Sequence, residues 1–117
     1  MTAKPLKLEI AQNSSSLSIS PEIYLRILQK AVQQTAQDIR EMEAALPVDD
    51  FTKVKAVAHK MKGDYDNLRI TDMSNIAREI DEIAKASQDK EKVAVLLNEF
   101  LLYFQQLKAF IVKQVGG

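Results

Sequence analysis

The sequence predicts an all-α fold, an antiparallel up-down four-helix bundle with an N-terminal extension. From Ser20 onward, apolar residues recur at spacings of three and four in four successive stretches. The breaks between those stretches are short, which favours antiparallel neighbours. No segment offers a convincing pair of strands.

The first helix opens with Ser20 as N-cap, Pro21 at the first helical position and Glu22 near the positive end of the dipole. Its stripe runs through Tyr24, Ile27, Leu28, Ala31, Thr35, Ile39, Met42 and Leu46, and Pro47 stops it. Asp49 or Asp50 caps a second helix bearing Phe51, Val54, Ala58, Met61, Tyr65 and Leu68. Thr71 is the expected cap of a third, with Met73, Ile76, Ala77, Ile80, Ile83 and Ala84 on its stripe. After Ser87-Gln88-Asp89-Lys90, a fourth carries Val93, Leu96, Leu97, Phe100, Phe104, Leu107 and Ile111; Leu101, Leu102 and Tyr103 widen its stripe, so it is expected to touch two neighbours. Residues 1–19 are expected as a tail or linker with a short extended piece at Leu6–Ile10, and residues 20–117 as the bundle. Gly116-Gly117 reads as a frayed helix end.

Composition excludes many function classes. Sixteen basic side chains balance sixteen acidic ones, so neither nucleic acid nor an anionic membrane is an expected partner, and a monomer is the default. Without cysteine there is no disulfide, zinc–thiolate site or thiol nucleophile. One histidine excludes a multi-histidine metal site, and three glycines leave no phosphate-cradling loop. No stretch approaches the roughly 20 apolar residues of a membrane span. The first ten residues lack the apolar run of a secretory signal, so the cytoplasm is the expected compartment.

The single histidine sits in the second helix. At 100° per residue, His59 lies about 140° from the centre of its helix's apolar stripe, with Lys55, Lys62, Gly63 and Asp66 within about 60° of it. A lone histidine is usually a satisfied core residue, but this geometry points the ring at solvent. An exposed imidazole is largely a neutral nucleophile near pH 7. Lys62, one turn on, places a cation beside any anion that meets His59. Gly63 in mid-helix costs roughly 1 kcal/mol against alanine and so calls for a reason. On this face, its missing side chain leaves the imidazole open to a bulky partner. A nucleophile, a cation and a cleared approach suit phosphoryl transfer, which depends above all on positioning and charge neutralisation. A metal ligand is the weaker reading, since Asp66 is nearly two turns away and no second strong ligand is near.

Ala58-His59-Lys60-Met61-Lys62-Gly63, followed by Leu68, Met73 and Ile80-Asp81, resembles the histidine-containing phosphotransfer (HPt) domain of bacterial multistep phosphorelays. Tyr24-Leu25 and Ala44-Ala45-Leu46 in the preceding helix add to the likeness, which spans roughly Pro21 to Ile111. The resemblance implies a four-helix bundle that relays a phosphoryl group to or from a receiver-domain aspartate and has no kinase activity of its own. His59 would be the phosphoacceptor; Lys62 would steady the phosphoryl group and Gly63 would give the receiver room. No cofactor or metal is expected on this chain, the Mg²⁺ being the receiver's; the partners implied are response-regulator receivers and a sensor histidine kinase. Lys55, Asp66, Arg69, Asn75 and Arg78 are candidate docking residues.

The family usually has small residues after the glycine and a second glycine after the leucine, where this chain has Asp64, Tyr65 and Arg69. Tyr65, on the apolar stripe, is expected in the core. Lys53 and Lys60 are read as a solvated face; Glu79, Asp81 and Glu82 as solvent-facing, with Arg78 and Lys85 as local partners. Two other functions fit the sequence: an HPt-like module that docks receivers without accepting phosphate, and the phosphoacceptor segment of a larger histidine kinase.

Overall fold

The computed structural model describes residues 5–115, which form five α-helices and, among the described residues, no strand. They are α1 (Ile10–Ser16), α2 (Pro21–Ala45), α3 (Phe51–Asn67), α4 (Thr71–Ala86) and α5 (Lys90–Val115), with a 3-10 turn at Leu46–Val48. Met1–Lys4 and the closing Gly116-Gly117 lie outside the described residues.

The helix starts follow from local chemistry. The Ser20 hydroxyl accepts from the Ile23 amide at 3.2 Å, and Asp50 accepts from the Lys53 amide at 3.1 Å. Asp89 does the same for Lys92 at 3.2 Å. Thr71, expected as a cap, is instead the first residue of α4; Ile70 is the capping residue and offers no side-chain bond. Asp72 supplies the negative charge in that first turn.

The N-terminal segment differs from the expected tail. Residues 10–16 are helical, and Asn13 and Ser14 are buried. A seven-residue helix is too short to reveal a period or to stand alone, so its partners hold it. Asn13 Nδ2 donates to the Tyr24 hydroxyl at 3.2 Å, and that hydroxyl donates to the Leu68 carbonyl at 2.5 Å. Upstream, the Leu6 amide donates to Gln106 Oε1 at 2.7 Å and the Lys7 amide to Asp72 at 3.2 Å. These bonds attach the segment to the α3–α4 corner and to α5.

Packing runs α2 on α3, α3 on α4 and α4 on α5, and α2 also meets α5. Glu41, Asp38, Thr35 and Tyr24 of α2 meet Lys53, Lys60, Tyr65 and Leu68 in turn, so α2 and α3 run in opposite directions. Tyr65 is fully buried, as expected: its hydroxyl is 2.7 Å from Thr35 Oγ1, and its ring meets Phe100 edge-on at 5.7 Å. Burial pushes its phenol well above the usual tyrosine range. These ties fix the rotation of α3 about its axis, and with it the face that reaches solvent.

Two expectations need correcting. Ile27 was placed on the buried stripe but is 43% exposed, because it borders a groove between α2 and α3. The second concerns membrane spans: α5, over Lys90–Gln114, is long and apolar enough by length and composition to cross a membrane. Here its positions Val93, Leu97, Phe100, Phe104, Leu107 and Ile111 are core.

Candidate functional site

Ala58 and Met61 anchor α3 in the core with no exposed surface. By the helical period, this turns His59 outward, and its side chain is 70% exposed. Nδ1 of the ring lies 3.4 Å from Oδ2 of Asp81 on α4, whose side chain is only 18% exposed. Asp81 was read as solvent-facing; it faces His59 because α3 and α4 pack side by side and bring positions 22 apart in sequence together. The other carboxylate oxygen, Oδ1, is buried without a hydrogen-bond partner among the described residues.

That contact has a chemical consequence. A carboxylate can only accept a hydrogen bond, so the favoured neutral tautomer carries its proton on Nδ1 and points it at Asp81. Nε2 is then left with its lone pair free. Positive charge developing on the ring during attack by Nε2 would fall beside an anion already in place.

Lys62 is half-buried and forms no ion pair among the described residues, so its ammonium is available near the ring. Gly63 adjoins His59 by the helical period. A Cβ built there would meet nothing within 4 Å, so packing within the chain does not require glycine. Lys55 is exposed and Asp66 half-buried on the same helix. On α4, Arg78 donates to Asn75 Oδ1 at 3.0 Å, and both are exposed. Arg69 follows the end of α3, whose last residue Asn67 lies about 12 Å along the axis from His59. Its guanidinium bonds Ser16 Oγ and the Asp66 carbonyl, both at 3.1 Å, and its φ is 62°. It therefore belongs to the N-terminal corner rather than to the surroundings of His59.

Lys60 is not simply a solvated lysine. Its Nζ lies 3.0 and 3.3 Å from the two oxygens of Asp38, a residue of α2 that is 1% exposed, and Gln34 donates to the same carboxylate at 3.1 Å. Lys53 pairs with Glu41 at 3.1 Å. Among the described residues, no group of three or more potential metal-ligating side chains is assembled.

The sequence names Asp81 only as part of the Ile80-Asp81 likeness and as a solvent-facing acid, and it gives Asp38 no role. Both sit at the margins of apolar stripes, where a carboxylate needs a partner from another helix. The signal was Asp38 between Thr35 and Met42, and Asp81 directly after Ile80.

Comparisons with known proteins bear on the family and the fold. No curated protein matches the chain. The crystal structure of histidine-containing phosphotransfer protein B (HptB) from Pseudomonas aeruginosa PAO1 is similar, with a TM-score of 0.80 and 18% identity over 97% of this chain and 96% of that one. At that identity the likeness speaks for the fold. The family model described as Hpt domain matches residues 26–110. The chain belongs to the Hpt domain family, which carries phosphoryl groups on histidine in two-component signalling.

Proposed function

We propose that this chain is a phosphorelay intermediate that takes a phosphoryl group from a receiver-domain aspartate onto Nε2 of His59 and yields it to a second receiver. The observation that carries this reading is the exposed His59 with Nδ1 turned to Asp81 and Gly63 leaving its approach open. In the transfer, the lone pair of Nε2 attacks phosphorus in line. The N–P bond forms as the P–O bond to the aspartyl carboxylate breaks, and that carboxylate leaves with the electron pair. The proton stays on Nδ1, and Asp81 offsets the positive charge gained by the ring. Lys62 stabilises charge on the phosphoryl oxygens, the larger part of what phosphoryl transfer needs.

In this reading the four long helices form an antiparallel up-down bundle, monomeric and cytoplasmic, with neither kinase activity nor a resident cofactor; the Mg²⁺ belongs to the receiver. Lys55, Asp66, Asn75 and Arg78 ring the docking surface. The test is incubation with a panel of phosphorylated receiver domains beside a His59→Gln control. Acid-labile, base-stable label on the wild type and none on the control is the expected result. Binding without label would instead favour a docking module that carries no phosphate.

A further inference from the structure

Between α2 and α3 lies an open groove of about 620 Å³. Ile19, Ile27, Ala31 and Leu68 give it an apolar lining, and Asp64 of α3 stands in its wall. Asp64 occupies the position after Gly63, where the family usually has a small residue. Its carboxylate forms no ion pair or side-chain hydrogen bond among the described residues. Lys60, whose charge it feels and which also lines the groove, is paired with Asp38 at 3.0 Å. Partial burial pushes Asp64 above the usual carboxylate range, with Lys60 opposing and Asp38 adding to the rise. Asp64 thus has a cation one turn away but no direct ion-pair partner among the described residues.

The groove is within reach of any partner that covers His59. Along α3 the two residues are about 7.5 Å apart and about 140° around the axis, with Gly63 between them at about 40° from His59. Gly63 leaves the backbone bare on that path, and Lys60, at about 100° from His59, flanks it. An ordinary interface of about 800 Å² per partner is roughly 30 Å across and spans both. On the opposite, α4 side, the surface carries the polar Asn75 and Arg78, while the groove towards α2 offers apolar area that can stabilise docking.

We propose that Asp64 is a specificity-determining residue of the phosphotransfer interface, receiving a lysine or arginine side chain of the partner receiver whose alkyl stem lies along Ile27, Ala31 and Leu68. This rests on the relay function proposed above. Long basic side chains suit the groove because they combine an apolar stem with a cationic head. Lys30 and Lys60 also line the groove; Asp38 offsets the charge of Lys60, so the repulsion comes chiefly from Lys30 and biases that head towards α3. Asp64 and Lys30 therefore act with opposite sign.

The test uses the full chain and titrates wild type, Asp64→Ser, Asp64→Lys and Lys30→Ser against a panel of purified receiver domains of known sequence, measuring Kd and transfer rate. Circular dichroism melts establish that each variant is folded. Asp64→Ser should weaken docking about threefold to tenfold and Asp64→Lys more than tenfold, while Lys30→Ser tightens it. The receivers most affected should carry a basic residue on their docking face, and a charge-reversed receiver should recover binding to Asp64→Lys. Unchanged affinity in Asp64→Lys, weakening in Lys30→Ser as large as in Asp64→Lys, or a panel with no receiver that binds the wild type would each overturn the proposal. A separate arm treats the wild type with phosphoramidate, a small phosphodonor that needs no docking. Failure to label His59 there counts against the phosphoacceptor reading, not against the groove.

Discussion

Nδ1 of His59 and Oδ2 of Asp81 lie 3.4 Å apart, and the second oxygen of that carboxylate is buried with no hydrogen-bond partner among the described residues. A buried unsatisfied acceptor is destabilising by about 1–3 kcal/mol, so Asp81 is better suited to orienting the histidine than to stabilising the fold. Asp81→Leu should therefore separate the two roles. It should leave thermal stability unchanged or raised while slowing phosphoramidate labelling of His59 by about tenfold, equivalent to about 1.4 kcal/mol in the barrier. Asp81→Asn keeps an acceptor for Nδ1–H but loses the charge, and should fall between the two. A melt that drops with Asp81→Leu, at an unchanged labelling rate, would reduce Asp81 to a structural residue.

Gly63 gives a second separation of stability from activity. The space around it accepts a Cβ without contact, so alanine brings its helical preference of roughly 1 kcal/mol with no steric penalty inside the chain. Gly63→Ala should melt higher than wild type. Transfer from a phosphorylated receiver should slow, because the added methyl lies where the partner approaches, while labelling by phosphoramidate should change little. Equal slowing with both donors would place the effect on the imidazole itself.

Ser18, Asp49, Arg69 and Gln88 all adopt positive φ without being glycine, between 53° and 62°. For a residue with a Cβ this conformation costs roughly 1–2 kcal/mol, and a glycine just beyond a helix end removes the strain. Gln88 is exposed, and its amide bonds the Ile83 carbonyl at 2.7 Å, which glycine retains. Gln88→Gly should raise stability by about 0.5–1 kcal/mol in urea melts, after the greater flexibility of the unfolded chain is deducted. Arg69→Gly relieves the same strain but loses the bonds to Ser16 and the Asp66 carbonyl, so its gain should be smaller. A larger gain at Arg69 would mean that those bonds contribute nothing.

Much of this molecule follows from short-range rules. Ser20 and Asp50 cap as their residue types dictate, and the outward turn of His59 follows from where Ala58 and Met61 fall in the helical period. What escaped prediction depends on pairing between helices. α1 shows no period of its own and is held through Asn13 to Tyr24. Asp81 acquires its role only when α4 lies against α3, and Asp38 only when Lys60 arrives from the neighbouring helix. A periodicity assigns such residues to a helix margin without naming what they meet across it. Ile27 shows the reverse case, an apolar residue in register with the core that the groove leaves exposed.

Asp64 also makes stability depend on pH, in a direction opposite to that of a salt-bridged carboxylate. Burial raises its folded-state pKa, helped by Asp38 and opposed by Lys60, while the unfolded chain keeps a value of about 3.9. Between these two values the folded state binds the proton more tightly, so stability falls as pH rises through that window. Below the unfolded value both states are protonated and the penalty vanishes; above the folded value it is complete. Lys30, on the other side of the groove, forms no ion pair with it among the described residues. Asp64→Asn, which preserves shape and removes the charge, should therefore melt higher than wild type at pH 7 and converge with it near pH 3.5. A difference that persists at low pH would point to packing rather than to ionisation. A carboxylate that weakens the free fold at neutral pH gains a stabilising role only when a cation joins it, so a bound basic receiver should remove the difference in melting between wild type and Asp64→Asn.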